Sequence, residues 1–291
     1  MEILQLTIAG VAIGCIYALI ALGFVLIYKA TEVVNFAQGD VMMLGGFVAF
    51  TFAVIWNFPF WLAVIFAIAV LALVGALFNR LLLVPIIGQP TFAAVMVTLA
   101  AGYVMRGIAS MVPGWGTDTY ALKAPYSDGT LKLGDLVVST DHIAIIVLTA
   151  VLCACLYLFF KYTRVGIAMQ ATSQNQLAAN YMGIPVRKIN TLIWGISAGV
   201  AAFAAILLAP ITFVHTNMGF IGLKAFPAAV VGGFGSIPGA IVGGLIIGLV
   251  ESYAGFYLPE GFKDVAAYVV VLLVLMIRPS GIFAEMRRKK V

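Results

Sequence analysis

Long apolar runs separated by short polar connectors leave this 291-residue chain few ways to fold. Hydrophobic residues make up 64% of it and charged residues 9%, against roughly 25% charged in soluble domains. So few charges cannot cover a water-facing surface of this size. The chain is expected to be an all-α polytopic membrane protein, because backbone polar groups in hydrocarbon must be satisfied internally.

A full span needs about 20 apolar residues. Eight runs come near that length: Ile3–Tyr28, Val41–Trp56, Phe60–Leu83, Thr91–Val112, His142–Phe160, Ile189–Phe213, Pro238–Leu258 and Val265–Ile277. The second and last are short. A further stretch, Met218 to Ile237 (MGFIGLKAFPAAVVGGFGSI), is apolar but interrupted by glycine and proline. It reads as a discontinuous crossing, tolerated only where it is buried in protein or lines a water-filled path. The expectation is about eight transmembrane helices plus one discontinuous Gly-rich crossing, forming a single transmembrane domain over 1–291. The loop 113–141 is too short for a core of its own. The start, Met1–Leu6, has neither the basic residues nor the cleavage site of a signal peptide, so the first run is expected to be retained.

Lys and Arg set the orientation. The segment 161–189 and the tail after Arg278, which ends in Arg287, Arg288, Lys289 and Lys290, are the most basic stretches. Both are expected in the cytoplasm, with the N-terminus outside and 113–141 as an external loop. Asp118, Asp128, Asp135 and Asp141 lie in that loop. The scheme requires the Met218–Ile237 segment to count as one crossing.

Small residues recur at spacing four: Gly10/Gly14, Gly195/Gly199, Gly239/Gly243 and Gly244/Gly248. Such pairs let helix backbones approach closely in lipid, either within one bundle or at a dimer contact. Cys15, Cys153 and Cys155 lie in apolar runs and read as small packing residues.

No enzyme signature is present. The chain lacks a phosphate-cradling G-x-x-x-x-G-K-[ST] loop, a G-x-S-x-G elbow, H-E-x-x-H, and paired carboxylates within a span. No cofactor or metal site is expected, and the basic residues at span ends give no reason to expect nucleic acid. Arg106, Glu251 and Lys224 are the ionisable candidates for membrane depth. Arg106 and Glu251 fall near span ends and are expected to snorkel to the interface. Without a central titratable cluster, any transport energy should come from outside this chain.

Two polar stretches stand out. In Lys29–Asp40, the residues Asn35, Gln38 and Asp40 precede a short span, and Asp40 is placed to cap it. This is either a polar turn facing a translocation path or an ordinary connector. In 161–188, residues Ile167–Tyr181 are expected to form one amphipathic helix with Ile167, Ala171, Ala178 and Met182 on a shared stripe. Gly183 and Pro185 should stop it. That helix either docks on a partner or lies against the chain's own inner face.

Three blocks then carry a resemblance: GCIYALIALGFVLIYKATEVVNFAQGDVMMLGGF, TRVGIAMQATSQNQLAANYMGIPVRKI, and KAFPAAVVGGFGSIPGAIVGGLIIGLVES. In their order over nearly the whole length they resemble the permease subunits of ABC importers for branched-chain amino acids. The resemblance implies the ABC importer permease fold in a bacterial inner membrane. It also implies a second related permease subunit, two cytosolic ATP-binding subunits and a periplasmic solute-binding protein. Residues 161–189 would be the coupling segment that docks on an ATPase, through Arg164, Gly166, Ala171, Asn175, Ala178, Ala179 and Gly183. Phe226, Pro227, Gly232, Gly233, Gly235 and Pro238 would form the discontinuous element near a subunit contact. Family members often carry an acid in mid-connector, where this chain has Gln174-Asn175-Gln176. The alternatives are the same machine carrying urea or short amides, and, from another class, a stand-alone channel or secondary carrier. Co-purification of ATPase subunits separates the classes.

Overall fold

The computed structural model describes residues 2–86, 88–127, 129–133, 136–259 and 261–283. Asp128, Asp135 and the basic cluster 287–290 lie outside them. Among the described residues the order is α1 (Glu2–Thr31), α2 (Gln38–Phe50, prolonged by a π-helical turn, Thr51–Ile55), α3 (Phe60–Phe78, prolonged by tighter and wider turns to Ile86) and α4 (Thr91–Met111). A hairpin follows, β1 (Thr130–Leu133) and β2 (Leu136–Ser139), then α5 (Thr140–Tyr162), α6 (Arg164–Gln174) and α7 (Gln176–Tyr181). The chain continues through α8 (Val186–Thr212), α9 (Met218–Lys224), α10 (Phe226–Gly232), α11 (Ile237–Tyr257) and α12 (Phe262–Ile277).

Seven of these have the length and hydropathy of a membrane span, with α2 and its π turn counted as one. The sixteen-residue α12 is the eighth, shorter helix, and α9–α10 is the broken crossing. The centre is α1 and α8: 89% and 83% of their most apolar windows are buried, against 22% for α4 and 17% for α5. A helix that is apolar all round belongs in such a centre; α11 packs on α1, while α2 and α3 pack on α8.

The spacing-four glycines are consumed within the bundle. A Cβ on Gly248 would lie 2.3 Å from the Gly14 backbone, and one on Gly244 would lie 2.4 Å from the Ala18 nitrogen. Gly10/Gly14 and Gly244/Gly248 are thus the two halves of one α1–α11 contact, brought together by dispersion where lipid supplies no hydrophobic drive. Gly243 abuts Ala228 of α10, and Gly195 abuts Ala72 of α3.

The two ends of the bundle can be told apart by their contacts. At one, Tyr120 of the 113–139 loop pairs its backbone with Val214 after α8. At the other, Ile282 and Phe283 donate backbone hydrogen bonds to the carbonyls of Val231 and Gly232 at the end of α10. Residues 214–233 therefore carry the chain from the loop end to the connector end, as the charge pattern requires.

Several expectations need correction. The connector is not one helix over Ile167–Tyr181. Asn175 adopts an extended conformation (φ −157°, ψ 103°), and its side chain accepts from Ala178 N, so it ends α6 and caps α7. The break removes the common stripe: Ile167 and Met182 are both exposed. Gly183, at φ +81°, supplies the expected stop. The loop between α4 and α5 contains a hairpin that the apolar pattern did not show. Cys155 is exposed rather than packed.

Gly248→Val should drive a branched side chain into the Gly14 backbone and lower stability by about 3 kcal/mol. Gly107→Ala, which would meet open space within α4, should leave it unchanged or slightly higher. Thermal unfolding of the two variants in detergent, followed by monodispersity, checks the contrast.

Candidate site at the start of the second span

Gln38–Ile55 is only 18 residues, about 27 Å of helix, because α2 does not begin at the end of the bundle. After α1 the chain turns back through 32–37, and α2 starts among buried side chains. Its first amides have no capping side chain from Ala37, so the turn leading into it must be held by other groups.

Asn35 and Gln38, each 1% exposed, hold that turn. The Asn35 Oδ1 accepts from Ala37 N at 3.1 Å, and its Nδ2 donates to Gln38 Oε1 at 3.1 Å. Gln38 Nε2 donates to the Ser197 carbonyl of α8 at 3.4 Å. The Ser197 hydroxyl lies 3.0 Å from the Gly23 carbonyl of α1. Gly23 must be glycine for this, since a Cβ there would fall 2.2 Å from Gln38 Nε2. On the α4 side, Phe36 N donates to Thr98 Oγ1 at 3.3 Å.

Two residues after Gln38, Asp40 is 6% exposed. Its Oδ1 accepts from Arg106 Nη2 at 2.7 Å and from Nε at 3.1 Å. The Arg106 guanidinium also lies 4.1 Å from the centroid of the Phe220 ring of α9, a favourable cation–π position. Cβ atoms at Gly102 and Gly219 would fall 2.4 Å and 2.6 Å from the carboxylate oxygens. Two neighbouring helices therefore leave bare backbone where the carboxylate sits.

Two sequence expectations fail here. Arg106 does not snorkel; it turns inward to a buried acid. Glu251, 4% exposed, likewise points inward, accepting from the Tyr17 hydroxyl with Lys263 Nζ at 3.8 Å. The sequence carried the signal, a lone arginine in an apolar run, but proximity to the helix end suggested the wrong partner. Nor does Asp40 cap α2: the helix starts two residues earlier. Ser197, Thr98 and Gly102 carried no such signal, because small hydroxyl residues and glycines are common in spans.

The structure thus buries Asn35, Gln38 and Asp40 at the start of α2 in two polar groups, Asn35 and Gln38 with Ser197 and Asp40 with Arg106. The coupling candidates lie elsewhere, on the connector end. Thr163 caps α6 by accepting from Gly166 N at 2.9 Å, next to Arg164. Ala171 is half-buried, Ala178 is exposed and Ala179 is buried against the bundle. Phe226 bridges the two regions, with its ring 5.5 Å from Phe36 and 5.6 Å from Phe234, which lines a cavity beside Gln170 and Gln174. Pro227 opens α10, Gly232 touches Gly239, Gly233 takes φ +94° and Pro238 opens α11, while Gly235 has open space around it.

Residues 6–278 match the family model described as branched-chain amino acid transport system / permease component. The chain belongs to that family. The high-affinity branched-chain amino acid transport system permease protein BraD of Pseudomonas aeruginosa is 32% identical, covering 99% of this chain and 98% of that one. The LivH permease proteins of high-affinity branched-chain amino acid transport systems in Escherichia coli and Salmonella typhimurium are each 31% identical, covering 99% of this chain and 97% of theirs. The permease is a multi-pass membrane protein of a transport-component family, which implies ATPase and binding-protein partners in general.

Asp40→Ala should leave the Arg106 charge buried without a counter-ion and cost the permease about 3–5 kcal/mol. Lys224→Ala, whose ion pair with Asp264 is largely exposed, should cost under about 1 kcal/mol. Unfolding midpoints of the two variants measured side by side test this ordering.

Proposed function

We propose that this chain is the membrane-spanning permease subunit of an ATP-driven importer for branched-chain amino acids. It acts with a second related permease subunit, two cytosolic ATP-binding subunits and a periplasmic solute-binding protein. The observation that carries the reading is the similarity to permeases of that transport class over 99% of this chain and 97–98% of theirs.

The reading places the protein in a bacterial inner membrane, with the connector end cytoplasmic and the N-terminus periplasmic. Lys29, Arg80, Lys161, Arg164, Arg187, Lys188 and Arg278 fall at the connector end, in the sense of the positive-inside rule. The coupling role goes to α6–α7. On α7 and at its C-cap, Leu177, Tyr181 and Met182 are 66%, 82% and 82% exposed, an apolar edge on a six-residue helix that suits a protein groove. The Gln176 side chain donates to the carbonyl of Ala30. The connector is thereby tied to the last turn of α1, just before the turn bearing Asn35. A cavity of about 750 Å³ lined by Lys29, Gln170, Gln174 and Phe234 lies between α6 and the end of the broken crossing, which leaves room for α6 to move. In this scheme nucleotide-driven closure of the ATPases moves α6–α7 and rocks the spans, while the permease itself performs no covalent chemistry.

Ala178→Asp, which buries a charge in the docking groove, and Gly183→Val, strained at positive φ, should each cut ATP-driven leucine uptake by roughly tenfold or more. Membrane insertion should stay normal, and less ATPase should co-purify. Uptake at the unaltered rate in both variants would remove the coupling assignment. Uptake of labelled urea but not leucine by the unaltered importer would reassign the substrate.

A further inference from the structure

We propose that Asp40 and Arg106 form the recognition site within the permease for the charged groups of the amino acid, their ion pair opening to be replaced by the substrate zwitterion. The inference rests on the amino-acid reading above and extends it to two named side chains.

The geometry of the pair is the starting observation. Both Arg106 contacts fall on one carboxylate oxygen, Oδ1. Among the described residues Oδ2 has no hydrogen-bond partner, although the Asp40 side chain is 8% exposed. A buried structural pair normally uses its fork and its second oxygen together, since each unused valence keeps its desolvation cost. Here the acid keeps an acceptor in reserve and the guanidinium keeps donors in reserve.

The surroundings give access from one side only. Asp40 is enclosed by glycine backbone of α4 and α9, whereas the Arg106 side chain is 18% exposed and lies beside Tyr103 and Phe220. Tyr103 and Phe220 are 68% and 48% exposed. A guanidinium on that surface cannot face hydrocarbon cheaply, so the α4–α9 surface faces a water-filled path or another subunit.

A zwitterion carries both complements of this pair. Its carboxylate suits the planar fork of Arg106, its ammonium suits the Asp40 carboxylate, and the apolar side chain can lie on the Phe220 and Tyr103 rings. Charges then alternate, and neither protein charge is left alone. A simple cation or anion satisfies only one member and strands the other in the interior. In the resting state the two residues neutralise each other, so the site holds no net charge that would draw ions through.

The test uses the complete importer in proteoliposomes, with leucine-loaded binding protein outside, ATP inside, and labelled leucine as probe. The double variant Asp40→Asn with Arg106→Gln removes both charges together and strands neither. Assembly should stay near the unaltered level while the maximal uptake rate falls by roughly tenfold or more. Arg106→Lys keeps the charge but loses the fork, and the same split between assembly and rate is expected. Uptake within about twofold of the unaltered importer in either assembled variant overturns the proposal. Loss of assembly in both variants assigns the pair to folding and overturns it equally. Failure of the unaltered importer to take up leucine under the same conditions would instead remove the amino-acid reading, so the two failures are distinguishable.

Discussion

Hydrocarbon offers no hydrogen bonds, and this one constraint decides where the chain can break. Helix interruptions at 32–37, at Ala225 and at Gly233 expose backbone groups that lipid cannot satisfy. Each is therefore wrapped by protein. Asn35 and Thr98 serve the amides of the first, and the backbone of Ile282 and Phe283 serves the carbonyls at the end of α10. Close approach makes the wrapping possible. Where Gly39 meets Gly219 and Gly232 meets Gly239, two backbones touch with no side chain between them. The glycine content is the means by which irregular backbone is kept out of lipid.

The same enclosure shapes the electrostatics. A carboxylate near the positive end of α2 is favoured by the helix dipole, and burial raises the worth of the Arg106 contact because little water competes. Asp40 and Arg106 therefore link three elements, α2, α4 and α9. Polar groups at membrane depth thus join the start of the short helix to the broken crossing.

Most of the architecture was legible in the sequence. Apolar run length located every long helix to within a few residues, and the charge count alone demanded that the Met218–Ile237 stretch cross. Gly183 and Pro185 marked where the connector's helical stretch stops, just after α7. What could not be read was long-range pairing. Nothing local says that Arg106 meets Asp40 rather than the interface, or that Gly10/Gly14 and Gly244/Gly248 are partners, since each pairing joins residues far apart in the chain. The Asn175 break was missed for a different reason. Its neighbours are good helix formers, and only the side-chain bond back to Ala178 N reveals that asparagine ends one helix by starting the next.

Placement of the final helix has a consequence for the order of assembly. The carbonyls that close α10 are met by backbone amides that follow α12, so the interrupted crossing is finished by residues that leave the ribosome after it. Until those residues arrive, the carbonyls of Val231 and Gly232 lack the amides that meet them in the folded protein. Biogenesis of such a chain therefore depends on holding an unfinished crossing away from lipid until the residues after α12 have been made.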